Sequence, residues 1–155
     1  GNEFTVATVG TIKVTPHSVN VIPGTCTFSL EIRDQSAEVM KLIENHLRQL
    51  LEDICKKYGV TSTFVPTSYH DPAPMSELVR GTIEEAVKEL GIDYTVIPSG
   101  AFHDSLIMTS VFPTGMIFVP SKDGISHSRY EYTAPEDIEN GCNVLLNTVL
   151  KLDEK

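Results

Sequence analysis

The sequence predicts an α/β protein whose two parts differ in the order of their helices and strands. In residues 1–72, two strands precede a long helix and a further strand, a pattern typical of an antiparallel sheet with a helix on one face. In residues 73–155, helices and strands alternate, which favours a layered α/β domain with a parallel core. The segment 70–74 contains two prolines and is the predicted linker between these parts.

Two strands are predicted at the start of the first part. Residues 5–15 are rich in Val, Thr and Ile, and turn-forming residues such as Pro16 and Gly24 follow them. The next run alternates apolar and polar residues, and its apolar positions are Cys26, Phe28, Leu30 and Ile32. A period of two predicts one buried face and one polar face, and Arg33 falls on the polar face.

A long helix and a third strand complete the first part. Ser36 is placed to cap the helix at its start and Gly59 to end it, and apolar residues recur between them at spacings of three and four. The third strand is predicted over residues 60–69, at an edge of the sheet because it contains Pro66. A split βαβ unit usually begins with another strand and helix, so we expect the first part to lack its front.

The second part begins with a helix whose apolar stripe extends over residues 75–90. A strand over residues 94–97, a helix over residues 102–109 and a strand over residues 116–119 follow, and the last of these is apolar enough to be buried on both sides. The final helix is preceded by Thr133 and Glu136, which have the spacing of a capping box.

Charge and composition exclude several classes of partner. The formal net charge is −9 and the isoelectric point about 4.9, so we expect no nucleic-acid partner, because the chain would repel a phosphate backbone. No run approaches the roughly 20 apolar residues that span a bilayer, and we expect no secretory leader, because the first residues lack its basic and apolar pattern. The three cysteines suggest no disulfide framework, which favours the cytoplasm. Because the first residue is Gly1 rather than Met, we expect this start to be a cut or an introduced junction.

His127 is the clearest candidate metal ligand. It lies in a polar, Gly-containing loop after the predicted strand 116–119, where ligands gather in open α/β sheets, and a neutral imidazole is a natural metal ligand. A loop histidine is more often a solvated surface residue, and that alternative stays open. The chain has no HxxxH, HxD or CxxC pair, so we expect no complete metal site and no bound ion in this chain alone.

Two further positions are candidates for contacts with a ligand. The turn from Gly100 to Asp104 precedes a predicted helix, and Gly100 would let a ligand approach the backbone closely; the pattern alone favours a simple helix start with Asp104 in the first turn. Arg33, with Asn20 nearby on the polar side, could hold a carboxylate in its planar fork, although the pattern alone favours a surface pair of Arg33 with Glu31 or Asp34. No GxSxG motif supports a serine hydrolase, and no Gly-rich phosphate loop is present.

Four segments taken in order resemble one protein family. They are SVNVIPG at residues 18–24, EIRD at residues 31–34, PSGAFHD at residues 98–104, and the stretch at residues 118–133 that contains FVPS, GISH and EYT. This set is similar to the hydantoinase/carbamoylase branch of the di-metal aminoacylase and carboxypeptidase superfamily. The resemblance covers nearly the whole chain.

The resemblance implies a catalytic domain that is interrupted by a lid domain. Residues 1–72 would be the back part of an α+β lid, and residues 73–155 the C-terminal segment of an αβα catalytic domain. It also implies hydrolysis of a linear amide or ureido C–N bond in a small carboxylate-bearing substrate of the N-carbamoyl amino acid or allantoate class. The intact enzyme would use two divalent ions (zinc, manganese, cobalt or nickel) and form a homodimer through the lid.

The same resemblance assigns roles to individual residues. His127 matches the last metal ligand, and Asn20 and Arg33 match lid residues that hold the substrate carboxylate. The residues that match a substrate-contacting loop are Gly100, Ala101 and His103, with Phe102 standing where many relatives have Gly. The catalytic base and the other metal ligands match nothing in this chain, so the chain alone is expected to be inactive. An aminoacylase or dipeptidase relative, or a non-catalytic dimerisation or binding module, remain the alternatives.

Overall fold

The computed structural model describes residues 5–154, which fall into two compact units. The first unit extends to Pro72 and the second begins at Ala73, so the division lies within the predicted linker. The first unit contains β1 (Val6–Thr8), β2 (Ile12–Thr15), β3 (Thr25–Phe28), β4 (Glu31–Arg33) and α1 (Ala37–Tyr58). The second contains α2 (Glu77–Glu89), α3 (Asp104–Met108), a 3-10 turn (Lys122–Gly124) and α4 (Pro135–Asp153).

Each of the first two predicted strands is interrupted once. β1 pairs with β4 and β2 pairs with β3, both antiparallel, which gives two two-stranded sheets in succession. Between them the Ser29 N–H donates to the Thr11 carbonyl at 3.1 Å, and the Thr11 N–H donates to Ser29 Oγ at 3.1 Å. A side-chain oxygen therefore replaces a carbonyl of the ladder at the point where the two sheets meet.

The alternating face of the strands is not buried as predicted. Phe28 is 52% exposed and Cys26 is exposed, and no residue from 5 to 72 is buried. α1 contacts β4, but one helix on two-stranded sheets cannot cover their apolar faces. The polar face is as predicted, because Arg33 lies on it beside Glu31.

α1 begins and ends at the predicted residues. The Val39 N–H donates to the Ser36 hydroxyl at 3.3 Å, and Gly59 adopts a left-handed conformation with φ +64°. Both local signals are therefore confirmed, since a short polar side chain satisfies a free N–H at the helix start and glycine tolerates positive φ at its end. On the surface of α1, the Arg48 guanidinium holds the pKa of Glu44 below its usual value.

The predicted third strand over residues 60–69 is wrong. These residues form no strand, and Phe64 packs its ring under the Arg48 guanidinium at 3.7 Å. A β-branched run becomes a strand only where a neighbouring strand offers its backbone groups. Here the run follows the end of α1, where the Val60 N–H bonds to the Cys55 carbonyl, and a side-chain contact holds it against that helix.

The second unit has a small core between α2 and α4. Its buried residues are Thr82, Ala86, Val87, Val144 and Thr148. The extended segment at residues 115–119 passes close to both helices. A methyl group added at Gly141 would come within 2.5 Å of Val119 Cγ1, and one added at Gly115 within 2.6 Å of Val79 Cγ1.

Two strand predictions in the second unit are wrong. Residues 94–97 and 116–119 form no strand, and Phe118 is 51% exposed rather than buried on both sides. The helices cover only part of the 116–119 segment, and residues 73–154 supply no neighbouring strand to complete its backbone hydrogen bonds. The apolar character of this segment therefore requires a partner that this unit does not contain.

The short helix is confirmed within the predicted range 102–109, but the capping box is wrong. α4 is preceded by Ala134, which makes no side-chain cap bond, and Pro135 is its first residue. Proline has a fixed φ that is already helical and lacks the N–H that would need a partner, so it starts a helix without a cap. The start is thereby shifted one residue beyond Thr133. None of the helices within residues 5–154 is long and apolar enough to cross a membrane.

Candidate active-site residues

His103, in the turn at residues 98–104, is contacted on two sides. Ser99 Oγ lies 2.8 Å from His103 Nε2, and the His103 ring meets the Phe118 ring edge-on, with centroids 5.6 Å apart and an interplanar angle of 62°. His103 is half-buried and immediately precedes α3. The imidazole therefore has a defined orientation, which a substrate contact requires.

The same serine shapes the backbone of this turn. Ser99 Oγ accepts a hydrogen bond from the Ala101 N–H at 3.3 Å, which closes the chain around Gly100. Gly100 and Ala101 are exposed, and a methyl group added at Gly100 would meet no atom within 4 Å. The structure thus brings Gly100, Ala101 and His103 together, with open space beside the backbone of Gly100.

His127 lies in a loop with an unusual backbone. Asp123, Gly124 and His127 all have positive φ, at +58°, +68° and +53°. Left-handed conformation is uncommon outside glycine, although Asp and His are enriched among the exceptions. The loop is closed at its base by the Lys122 N–H, which donates to the Tyr132 carbonyl at 2.8 Å.

A carboxylate stabilises the backbone of His127. The His127 N–H donates to Glu131 Oε2 at 2.8 Å, and His127 is exposed. The left-handed conformation costs roughly 1–2 kcal/mol for a residue with a Cβ atom. A bond from the backbone to a charged acceptor offsets part of that cost and keeps the imidazole at the loop surface.

Arg33 occupies the polar face of β4, opposite Val6 of β1. Its Nη2 lies 2.9 Å from Glu31 Oε2, and its side chain is 48% exposed. This is the surface pair that the alternation pattern allowed. An exposed pair contributes at most about 1 kcal/mol, so a ligand carboxylate that forms two charge-assisted bonds could replace Glu31.

Asn20 lies in the exposed loop that joins β2 and β3. The Ser18 hydroxyl donates to Asn20 Oδ1 at 2.8 Å. Thr15 and Thr25 form the registered pair next to this loop, whereas Arg33 pairs at the far end of the strands. The register therefore places the two ends of the loop that contains Asn20 and the residue Arg33 at opposite ends of the paired strands.

A model of peptidase family M20/M25/M40 matches residues 3–151. The chain belongs to this family. It is 40% identical over 148 residues to an N-carbamoyl-L-amino acid amidohydrolase of Geobacillus stearothermophilus, covering 96% of this chain and 36% of the relative. It is 34% identical over 145 residues to an allantoate amidohydrolase of Bacillus subtilis (strain 168), covering 94% and 35%.

The fold agrees with this M20 membership. The crystal structure of an amidase of the hydantoinase/carbamoylase family from Burkholderia multivorans matches with a TM-score of 0.88 and 36% identity, over 97% of this chain and 37% of that one. The predicted branch and the α/β class are therefore confirmed. The chain spans about a third of the length of the relatives it matches.

A metal centre needs several donor side chains close together. Across residues 5–154, no three His, Cys, Asp or Glu side chains are grouped so that they could hold an ion. His127 has a donor of the right chemistry for one coordination position, but a site needs several.

Two contributors to the site were missed in the sequence. Ser99 orients His103, and Glu131 fixes the backbone of His127. The spacing Ser99 to Ala101 is that of a side chain closing its own turn, so this signal was present. The bond that Glu131 accepts from the His127 N–H involves the left-handed conformation of His127, which the sequence does not specify.

Proposed function

We propose that the whole protein hydrolyses a linear amide or ureido C–N bond in a substrate that carries a carboxylate. Membership of the M20 family and similarity to N-carbamoyl-L-amino acid and allantoate amidohydrolases support this reaction class. The observation that carries the proposal is the turn at residues 98–104. It combines an oriented imidazole with an open, exposed backbone at Gly100.

The turn is suited to binding an oxygen atom of the substrate. The His103 imidazole can donate one hydrogen bond, and the exposed backbone at Gly100 and Ala101 lies in the same turn. Donors that are already oriented cost little reorganisation when charge develops on a carbonyl oxygen in the transition state. We propose that Gly100, Ala101 and His103 bind the substrate and orient the bond to be cleaved.

Arg33 is proposed to recognise the substrate carboxylate, and Asn20, in the loop between β2 and β3, is proposed to make a separate polar contact with the substrate. The guanidinium is on an exposed face and its pair with Glu31 is weak, so a better carboxylate can displace it. Fixing the carboxylate at one end of a small substrate limits where the amide or ureido group can lie. This would make the carboxylate a requirement for efficient turnover.

His127 is proposed to supply one ligand of a centre for divalent ions such as zinc, manganese, cobalt or nickel. Its exposed imidazole and constrained backbone support this role. When bound, such ions lower the pKa of a water molecule and polarise a carbonyl. The remaining ligands and the general base would come from outside residues 5–154, and the 155-residue chain alone is therefore expected to be inactive.

The first unit is proposed to be part of a lid through which the whole protein forms a homodimer. Support comes from its apolar faces, which no element within residues 5–72 covers. Uncovered apolar area of this kind favours association.

A substrate panel tests the proposal with the whole protein. We expect hydrolysis of an N-carbamoyl-L-amino acid or of allantoate, loss of activity on chelation and recovery on adding a divalent ion. N-acyl amino acids and dipeptides should be poorer substrates. Preference for these would instead indicate an aminoacylase or dipeptidase, and no turnover of any substrate would indicate a binding module.

A further inference from the structure

The Ser99 hydroxyl contacts both parts of the turn at residues 98–104. It accepts the Ala101 N–H at 3.3 Å and lies 2.8 Å from His103 Nε2. One oxygen atom therefore links the backbone around Gly100 to the imidazole. If the hydroxyl were lost, both the closure of the turn and the orientation of the ring would lose a hydrogen bond.

The donors and acceptors of Ser99 restrict how the hydrogen bond to His103 can be arranged. A serine hydroxyl has one hydrogen to donate and two lone pairs to accept with. One lone pair already receives the Ala101 N–H, so the hydroxyl hydrogen still needs an acceptor. Within residues 5–154, the acceptor within reach is His103 Nε2. If Nε2 instead carried the proton, the Ser99 hydrogen would have to bond to solvent.

We propose that Ser99 is a positioning residue that holds neutral His103 with its proton on Nδ1. Ser99 donates its hydroxyl hydrogen to Nε2, and Nδ1–H becomes the donor that the ring offers to a substrate oxygen. The tautomer of a histidine is set in this way by the partner of its other nitrogen. This inference rests on the proposed function for the role of His103 toward substrate, but the tautomer itself does not.

Phe118 restricts rotation of the His103 imidazole ring. Its edge-on contact with His103 opposes rotation of the imidazole away from Ser99. A 180° flip about the Cβ–Cγ bond would exchange Nε2 with Cε1 and Nδ1 with Cδ2, which would place a carbon atom against Ser99 Oγ, and the contact with Phe118 opposes this rotation. Phe118 therefore restricts the plane of the imidazole ring, and Ser99 determines which ring nitrogen carries the proton.

Nitrogen NMR of the whole protein tests the tautomer directly. The protein would be labelled with ¹⁵N-histidine and measured at about pH 8.5, well above the usual histidine pKa of about 6.5. His103→Gln identifies the signals of His103 by their absence. We expect a protonated Nδ1 and an unprotonated Nε2 in the wild type, and a larger Nε2–H fraction in Ser99→Ala. A wild-type ring protonated on Nε2, or a tautomer unchanged in Ser99→Ala, would overturn the inference.

Kinetics of the same variants test whether the tautomer matters for turnover. Ser99→Ala should lower kcat/KM by about three- to tenfold, the range expected for one hydrogen bond, and Ser99→Thr should restore most of the loss because it keeps the hydroxyl. Ser110→Ala is the matched control, because Ser110 donates only to the Ile107 carbonyl and should leave kcat/KM unchanged. Equal activity in Ser99→Ala and wild type would overturn the positioning role. A wild type that turns over no amide or ureido substrate would refute the proposed function, while the NMR result would still decide the tautomer.

Discussion

The two units hold their site residues in different ways. In the second unit, His103 is fixed by Ser99 and Phe118, and the backbone of His127 is fixed by Glu131. In the first unit, Arg33 lies on a short exposed sheet and pairs with Glu31 on the same strand. The fold therefore sets the geometry in the second unit in advance, whereas the proposed ligand would reset the contacts of the exposed Arg33. Substitutions should separate these two modes.

The largest effect is expected at His127. In the whole protein, His127→Ala should abolish turnover and remove one bound ion, because the imidazole is the proposed ligand. The residue is exposed, so the free energy of unfolding of the metal-free protein should change by less than about 0.5 kcal/mol. Metal content after dialysis and chemical denaturation measure the two effects independently of activity.

A second substitution at the same position separates the imidazole from the backbone. Asparagine tolerates the left-handed conformation of His127 but lacks the ring. His127→Asn should be as inactive as His127→Ala. An active asparagine variant would show that the loop conformation, rather than metal ligation, is what the protein needs here.

The next largest effect is expected at Arg33, where the ligand sets the contact. A charge-assisted bidentate pair contributes roughly 1.5–3 kcal/mol, so Arg33→Ala should lower kcat/KM by about ten- to a hundredfold for a carboxylate substrate. The melting temperature should change little, because the side chain is exposed. Arg33→Lys should recover only part of the activity, since an ammonium keeps the charge but loses the planar fork.

Two controls sharpen the test of Arg33. Glu31→Gln weakens one ion pair that Arg33 makes in the structure, and it should leave kcat/KM near the wild-type value or slightly above it. The amide analogue of the substrate, which has no carboxylate, should be turned over poorly and equally by wild type and Arg33→Ala. If both proteins lose the same factor between acid and amide, the carboxylate is bound elsewhere.

Substitutions of Glu131 test whether the backbone conformation of His127, which the fold sets in advance, matters for turnover. Glu131→Ala removes the acceptor of the His127 N–H, so the loop should sample other conformations and kcat/KM should fall by about three- to tenfold. Glu131→Gln keeps an acceptor oxygen and should be close to wild type. Glu136→Ala, an exposed acidic residue in the first turn of α4, is the matched control for lost charge and should have no effect on kcat/KM. An equal loss in Glu131→Ala and Glu136→Ala would point to net charge rather than to the loop.

Sequence patterns predicted the features that depend on nearby residues. Ser36 and Gly59 mark the ends of α1 because each satisfies a backbone requirement within a few positions. The segments 60–69, 94–97 and 116–119 look like strands, yet a strand forms only with a partner, and their partners are not among residues 5–154.

The site shows the same limit of prediction from sequence. The resemblance identified His103 and His127 as candidates, but the contact of His103 with Phe118 joins residues that are distant along the chain. Spacing cannot reveal such a contact. The interruption between Thr11 and Ser29 is of the same kind, because a side-chain bond across two strands decides where the ladder stops.

The smallest effect is expected at the starts of α1 and α2. Comparing one substitution in each helix shows how far a local side-chain hydrogen bond stabilises the first turn. Ser36 precedes α1 and its hydroxyl accepts the Val39 N–H, whereas Ser76 precedes α2 and makes no side-chain cap bond. Ser36→Ala should therefore destabilise the first turn of α1 by about 1 kcal/mol, visible as faster hydrogen exchange at the Val39 amide. Ser76→Ala should change exchange in α2 by no more than a few tenths of a kcal/mol, because the backbone bond from the Ser76 N–H to the Thr114 carbonyl survives the substitution. Equal changes in the two variants would mean that intrinsic helix propensity, and not the cap, determines the result. A loss confined to Ser36→Ala would instead show that the first unit, which has no buried residue from 5 to 72, depends on such local bonds for the order of its helix.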